Sequence, residues 1–165
     1  IQGEAGIVVP PAGYLAQLRE ITTRHRALLL ADEIQSGLGR TGRLFAFEHD
    51  GIRPDLVTVG KALSGGFYPV SGILADSALM NVFKPGDHGS TFGGNPLGAA
   101  VAREALRVLV EEGMIENSAS LGAYALDRLR AIASPHIREV RGRGLPELVF
   151  SCQSCLEQSR YCARP

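Results

Sequence analysis

Two hydrophobic periods alternate along this chain. Pro10-Pro11 opens a stretch in which Tyr14, Leu15, Leu18 and Ile21 recur on one helical face, predicting a helix that ends near His25. Residues 27–31 (ALLLA) are continuously apolar, the pattern of a strand buried on both faces of a parallel sheet. Residues 55–60 (DLVTVG), introduced by Pro54, and residues 70–75 read as two further short strands. A Gly-rich loop at 37–42 (GLGRTG) and a second loop at 61–69 connect them. A helix is predicted over 76–83 and a loop over 84–94.

After Gly94 the period lengthens. Asn95-Pro96 is a strong helix start, because Asn caps the exposed amides and Pro fits the first helical position. Leu97, Val101, Ala105, Val108 and Leu109 then form one apolar stripe that stops at Gly113. A second helix over about 115–132 is expected to bury Leu121, Ala125, Leu129 and Ile132, and 137–141 reads as a strand of a smaller unit. Beyond Leu145 neither period is sustained. The expected class is α/β, with 1–94 belonging to a sheet-bearing domain and 95–145 to long connecting helices and the start of a small domain. Residues 146–165 are expected to form a tail without order.

Composition sharpens this picture. A length of 165 residues suits one domain, and 45% hydrophobic content argues against disorder. Formal net charge is zero, so nothing marks a nucleic-acid or anionic-membrane partner. No apolar run approaches the roughly 18 residues of a spanning helix, and no signal peptide is visible; the compartment expected is cytoplasmic. Three features are unusual. Glycine is abundant at 20 residues, only Lys61 and Lys84 are lysines, and all three cysteines (Cys152, Cys155, Cys162) fall near the end of the chain. With isoleucine as residue 1, the ends look foreign to the middle, and an incomplete protein is expected.

In an α/β fold, ligand groups sit at the carboxyl ends of strands. Asp32 and Lys61 occupy those places, after ALLLA and DLVTVG. A structural ion pair is the plain reading. A nucleotide hydrolase would need GxxxxGK[ST] upstream, whereas Gly60-Lys61 is followed by Ala62 and lies downstream. Pyridoxal phosphate chemistry is the third reading: a lysine forms an imine with the cofactor aldehyde while an acid keeps the pyridine nitrogen protonated. Lys84, beside Pro85-Gly86, reads as a solvated loop charge, which leaves Lys61 as the amine. Cys152 and Cys155 have a zinc-like CxxC spacing but no second pair and no nearby histidine, so they read as incidental and no metal is expected.

The strings around these residues decide between the readings. LLLADEIQSGLGRTG, RPDLVTVGKALSGGFYPVSGIL and PGDHGSTFGGNPLG, preceded by IQGEAGIVVPP, resemble the class III pyridoxal-phosphate-dependent aminotransferases over residues 1 to about 145. Within the class, KALSGGFYPVS and PGDHGST are most similar to the ornithine aminotransferases, with acetylornithine and other ω-amino-acid aminotransferases as near alternatives. The resemblance implies part of the fold-type I transferase large domain plus the start of its small domain. It also implies a homodimer, amino-acid and 2-oxo-acid substrates, and a place in proline biosynthesis and arginine catabolism. Lys61 would be the Schiff-base lysine and proton shuttle, Asp32 the partner of the pyridinium nitrogen, and Gln35 the partner of the phenolic oxygen. Ser90 and Thr91 would bind cofactor phosphate, Thr91 across the subunit boundary, and Glu4 would lie over the site and manage an arginine that meets substrate carboxylates. GLGRTG has no cofactor role in this reading, and His88 reads as a loop-packing residue.

The family chain is longer on both sides, and after RGRGL this sequence reads PELVFSCQSC where the family has an apolar strand. An interrupted coding sequence is therefore expected, with weak cofactor binding and negligible activity for the chain alone. A non-catalytic remnant, or a subunit working with a separately encoded N-terminal half, is the alternative of a different kind.

Overall fold

In the computed structural model, the described residues are 1, 8–144 and 148–152. Helix α1 (Tyr14–Arg24) follows Gly13, whose φ of 77° turns the chain out of the Pro10-Pro11 segment, and Arg24 in its last turn suits the negative helix end. Strand β1 (Leu30–Asp32) pairs in parallel with β2 (Leu56–Val59), Leu30 opposite Leu56 and Asp32 opposite Thr58. β2 in turn pairs antiparallel with β3 (Gly72–Ala75), Thr58 opposite Ile73. The sheet order is thus β1-β2-β3 and the sheet is mixed.

Asp55 fastens this sheet to α1. Its Oδ2 accepts from the Leu29 amide at 2.7 Å and from the Arg19 guanidinium at 2.7 Å, so one carboxylate ties helix, incoming strand and outgoing strand together. Both donors hold the Asp55 carboxyl below its ordinary value, the Leu29 amide contributing most.

Helix α2 (Ser77–Met80) is a single turn, shorter than the expected 76–83 helix. Asp76 stands at its N-cap position but makes no capping bond; its carboxylate pairs with Arg53 at 2.5 Å instead. Helix α3 (Pro96–Glu111) starts as expected, with Asn95 Oδ1 accepting from the Gly98 amide at 2.7 Å. Gly113 (φ 64°) then reverses the chain into α4 (Met114–Arg130), and β4 (Ile137–Gly142) pairs antiparallel with β5 (Leu148–Cys152). β5 corrects the expectation that 146–165 has no structure: the segment lacks strict alternation, yet the apolar LVF triplet finds a partner strand. Residues 153–165, with Cys155 and Cys162, lie outside the described residues, and so does Glu4.

The core is small. Leu38, Val57, Val59 and Ala102 are its buried hydrophobic side chains among the described residues. The run 27–31 was expected to be buried on both faces, but only its end is a strand, and Leu28 and Leu30 are 59% and 50% exposed. Among the described residues β1 has a neighbour on one side only, so one edge and the face bearing Leu30 stay open. The expected stripes are likewise only partly covered. Val101, Ala105, Val108 and Leu109 of α3 are half-buried while Leu97 is exposed; on α4, Leu121 and Ile132 are exposed and Ala125 and Leu129 half-buried. No helix among the described residues is long and apolar enough to cross a membrane.

The GLGRTG loop is the seat on which α3 and α4 rest. Gly39 (φ 86°) lies under Leu109 and Ile115, and Gly42 (φ 80°) lies against the backbone of Ala119. Ser118 Oγ donates to the Arg40 carbonyl at 3.1 Å. Gly122 of α4 and Gly144 then approach so closely that a Cβ on either would strike backbone, that of Gly144 in the first case and of Arg40-Thr41 in the second.

Candidate active site

Asp32 and Lys61 stand at the carboxyl ends of the two parallel strands, and the way each is held follows from its local sequence. Asp32 ends β1. Its Oδ1 accepts two hydrogen bonds, from the Ile34 amide two residues on (3.1 Å) and from the Thr58 hydroxyl across the ladder (3.0 Å). Among the described residues its Oδ2 accepts none, and the side chain is exposed. Lys61 begins a 3-10 turn over Lys61–Ser64 and holds φ 41°, a left-handed conformation that costs a non-glycine residue on the order of 1–2 kcal/mol. The turn enforces it: Ser64 Oγ donates to the Lys61 carbonyl at 2.7 Å and accepts the Gly66 amide at 3.0 Å.

Lys61 lines an open cavity of about 690 Å³ together with Ser64, Tyr68, Ser71, Ser90 and Asn95. Ser90 Oγ accepts the Gly93 amide at 2.9 Å, which fixes the loop that closes one wall. Thr91 follows Ser90 but does not line this cavity; it is exposed, as is His88. Asp32 lies on a separate cavity of about 250 Å³ below α1, lined also by Leu15, Leu18 and Phe47. Gln35 is half-buried three residues past Asp32 and makes no side-chain hydrogen bond among the described residues. The structure therefore groups Lys61 with Ser90, and Asp32 with Thr58, on neighbouring strand ends.

Two contributors were not legible in the sequence. Glu33 is 3% exposed and accepts from Ser36 Oγ (2.9 Å) and the amides of Ala46 (3.1 Å) and Phe47 (3.0 Å), so it braces the loop after Asp32. Its spacing to Ser36 was the one visible hint. Thr58 carried no signal beyond ordinary strand propensity. Among the described residues no cluster of metal-ligating side chains occurs.

The model of the family described as "Aminotransferase class-III" matches residues 1–156. The chain belongs to the class-III aminotransferases. The match runs past residue 145, where the resemblance was expected to stop. An ornithine aminotransferase of Bordetella pertussis is 59% identical over 145 residues, covering 88% of this chain and 35% of the relative. Among solved structures, the ornithine aminotransferase from Toxoplasma gondii superposes with a TM-score of 0.91 at 47% identity, covering 94% of this chain and 38% of that one. An acetylornithine aminotransferase from Elizabethkingia anophelis gives a TM-score of 0.86 at 48% identity, covering 88% and 37%. This class-III chain thus spans little more than a third of the length of the relatives it matches.

Proposed function

We propose that this chain is the lysine-bearing portion of an ornithine aminotransferase, transferring the δ-amino group of ornithine to 2-oxoglutarate to give glutamate semialdehyde and glutamate. The observation that carries the reading is the pairing of β1 with β2, which sets Asp32 opposite Thr58 with Lys61 three residues further along. The donor set suits pyridoxal 5′-phosphate in its chemistry: an amine on one cavity, and on the adjacent strand end, beside a second cavity, a carboxylate with one oxygen anchored and the other accepting no bond among the described residues. When bound, the cofactor supplies an aldehyde and an electron-withdrawing ring.

In this reading the Lys61 amine would hold the cofactor and, once displaced by the substrate amine, would be placed to carry a proton to or from the substrate carbon. Asp32 would keep the ring nitrogen protonated, and Gln35, whose side chain makes no hydrogen bond among the described residues, would donate to the phenolic oxygen. Ser90 meets the phosphate. Thr91, exposed beside it, serves the neighbouring copy of a homodimer, and Glu4 screens the substrate site. Residues 1–94 then form part of the cofactor-binding domain, and 95–145 the connecting helices and the start of the small domain. Activity is proposed to be negligible in the isolated chain, because Asp32 and Lys61 both stand open to water.

The test is to reduce a mixture of chain and pyridoxal phosphate with borohydride and map the label by mass spectrometry. Label on Lys61, lost in Lys61→Ala, is expected; label on Lys84 alone would remove the basis of the reading. Rapid turnover of ornithine by the isolated chain would overturn the inactivity, and restored activity on co-expression with an N-terminal half would establish a split subunit. The likeness to an acetylornithine aminotransferase favours a second reading, with acetylornithine as donor, which substrate profiling of a restored enzyme separates.

A further inference from the structure

Asp32 and Thr58 are direct partners in the parallel ladder and share one face of the sheet with Leu30, Leu56 and Ile73. On that face Leu30 and Ile73 are each 50% exposed, so water reaches both polar side chains and could satisfy either of them. The Thr58 hydroxyl nevertheless donates to Asp32 Oδ1 at 3.0 Å, the same oxygen that the Ile34 amide engages at 3.1 Å. Two donors converging on one oxygen, from two different segments, fix both the position and the plane of a carboxylate. A single Asx-turn bond from Ile34 would leave it free to rotate. The β-branch at position 58 makes the donor itself stiff, and valine would serve the strand equally well, as it does at Val57 and Val59. What the hydroxyl adds is orientation.

We propose that Thr58 is a positioning residue: its hydroxyl clamps Oδ1 of Asp32 so that Oδ2 is presented to the cationic ring nitrogen of the cofactor. The inference rests on the function proposed above. It predicts that Thr58 matters to ligands that carry the ring nitrogen, because among the described residues Oδ2 accepts no hydrogen bond.

Thr58→Val removes the hydroxyl at constant shape, and Thr58→Ser retains it. In the full chain, dissociation constants are measured for pyridoxal phosphate and for its 1-deaza analogue, in which carbon replaces the ring nitrogen. Exchange of the Ile34 amide is followed without ligand. Thr58→Val is expected to weaken pyridoxal phosphate about tenfold, as for loss of one charge-assisted hydrogen bond, and to leave the analogue unchanged. Ile34 exchange should rise several-fold as the carboxylate loosens, and Thr58→Ser should restore both values. Equal weakening of both ligands would reduce Thr58 to a structural role, and unchanged Ile34 exchange in Thr58→Val would overturn the clamp outright. If neither ligand binds through Lys61, the proposed function fails, while the Ile34 exchange still decides whether Thr58 holds Asp32.

Discussion

At the scale of single residues, two titratable side chains do structural work in two successive windows on the acid side of neutrality. Asp55 is partly buried, with 29% of its side chain exposed, and its carboxyl is held below the ordinary value of 3.8 by the Leu29 amide and Arg19. Its contribution is present above that value and is lost as pH falls through 3.8 toward the lower folded value. His49 donates to or accepts from Thr41 at 3.1 Å, and burial, with Arg143 nearby, pulls it below the ordinary 6.5. A depressed histidine is held neutral in the folded chain, so stability falls as pH drops below 6.5 and flattens once the folded value is passed. Urea unfolding across pH 3 to 8 should therefore show two descending limbs toward acid. Asp55→Asn should shrink the lower limb and cost about 1–2 kcal/mol at neutral pH, and His49→Gln should flatten the upper one. A profile without the upper limb in the parent chain would show that His49 titrates freely.

Elements show where local pattern sufficed and where it did not. The start of α3 was legible because Asn95-Pro96 is a local device, and the structure returns the cap bond it implies. Burial was not legible, because it depends on what covers a face: Leu30, Leu97 and Leu121 sit on the expected stripes and remain exposed. Asp32 and Lys61 could be placed from the ends of apolar runs, whereas Thr58 and Glu33 act through partners that only the fold brings near. The glycines of 37–42 showed in the sequence as a loop, but their role against α3 and α4 depends on contacts far along the chain. Gly122 makes this testable. On an open helix Gly→Ala is worth up to about 1 kcal/mol of added stability, but here the new methyl would strike the Gly144 backbone. Gly122→Ala should destabilise the chain by about 2 kcal/mol or more in chemical denaturation; a rise in the midpoint would show that α4 does not press Gly122 against Gly144.

For the molecule as a whole, the open face of the sheet and the zero net charge act together. Leu28, Leu30 and Ile73 are exposed apolar groups on or beside the sheet, Phe67 and Phe92 lie open near the Lys61 cavity, and no charge excess keeps copies apart. The isolated chain is expected to bind a hydrophobic dye and to self-associate at neutral pH, which fluorescence and sedimentation velocity would register; a dye-silent, monodisperse monomer would contradict this. The connectivity of the sheet also sets an order of events. Thr58 and Asp32 meet across 26 residues through a parallel crossover, while β2 and β3 pair antiparallel across a shorter loop. Long closures are entropically the later ones, so the carboxylate should join the lysine's strand near the end of refolding and part from it early in unfolding. Folding-rate measurements on substitutions at the β1–β2 seam should then give low φ-values beside higher ones at the β2–β3 seam. The acid and the amine of the site are thereby separated in time as well as in sequence: one is in place before the other arrives.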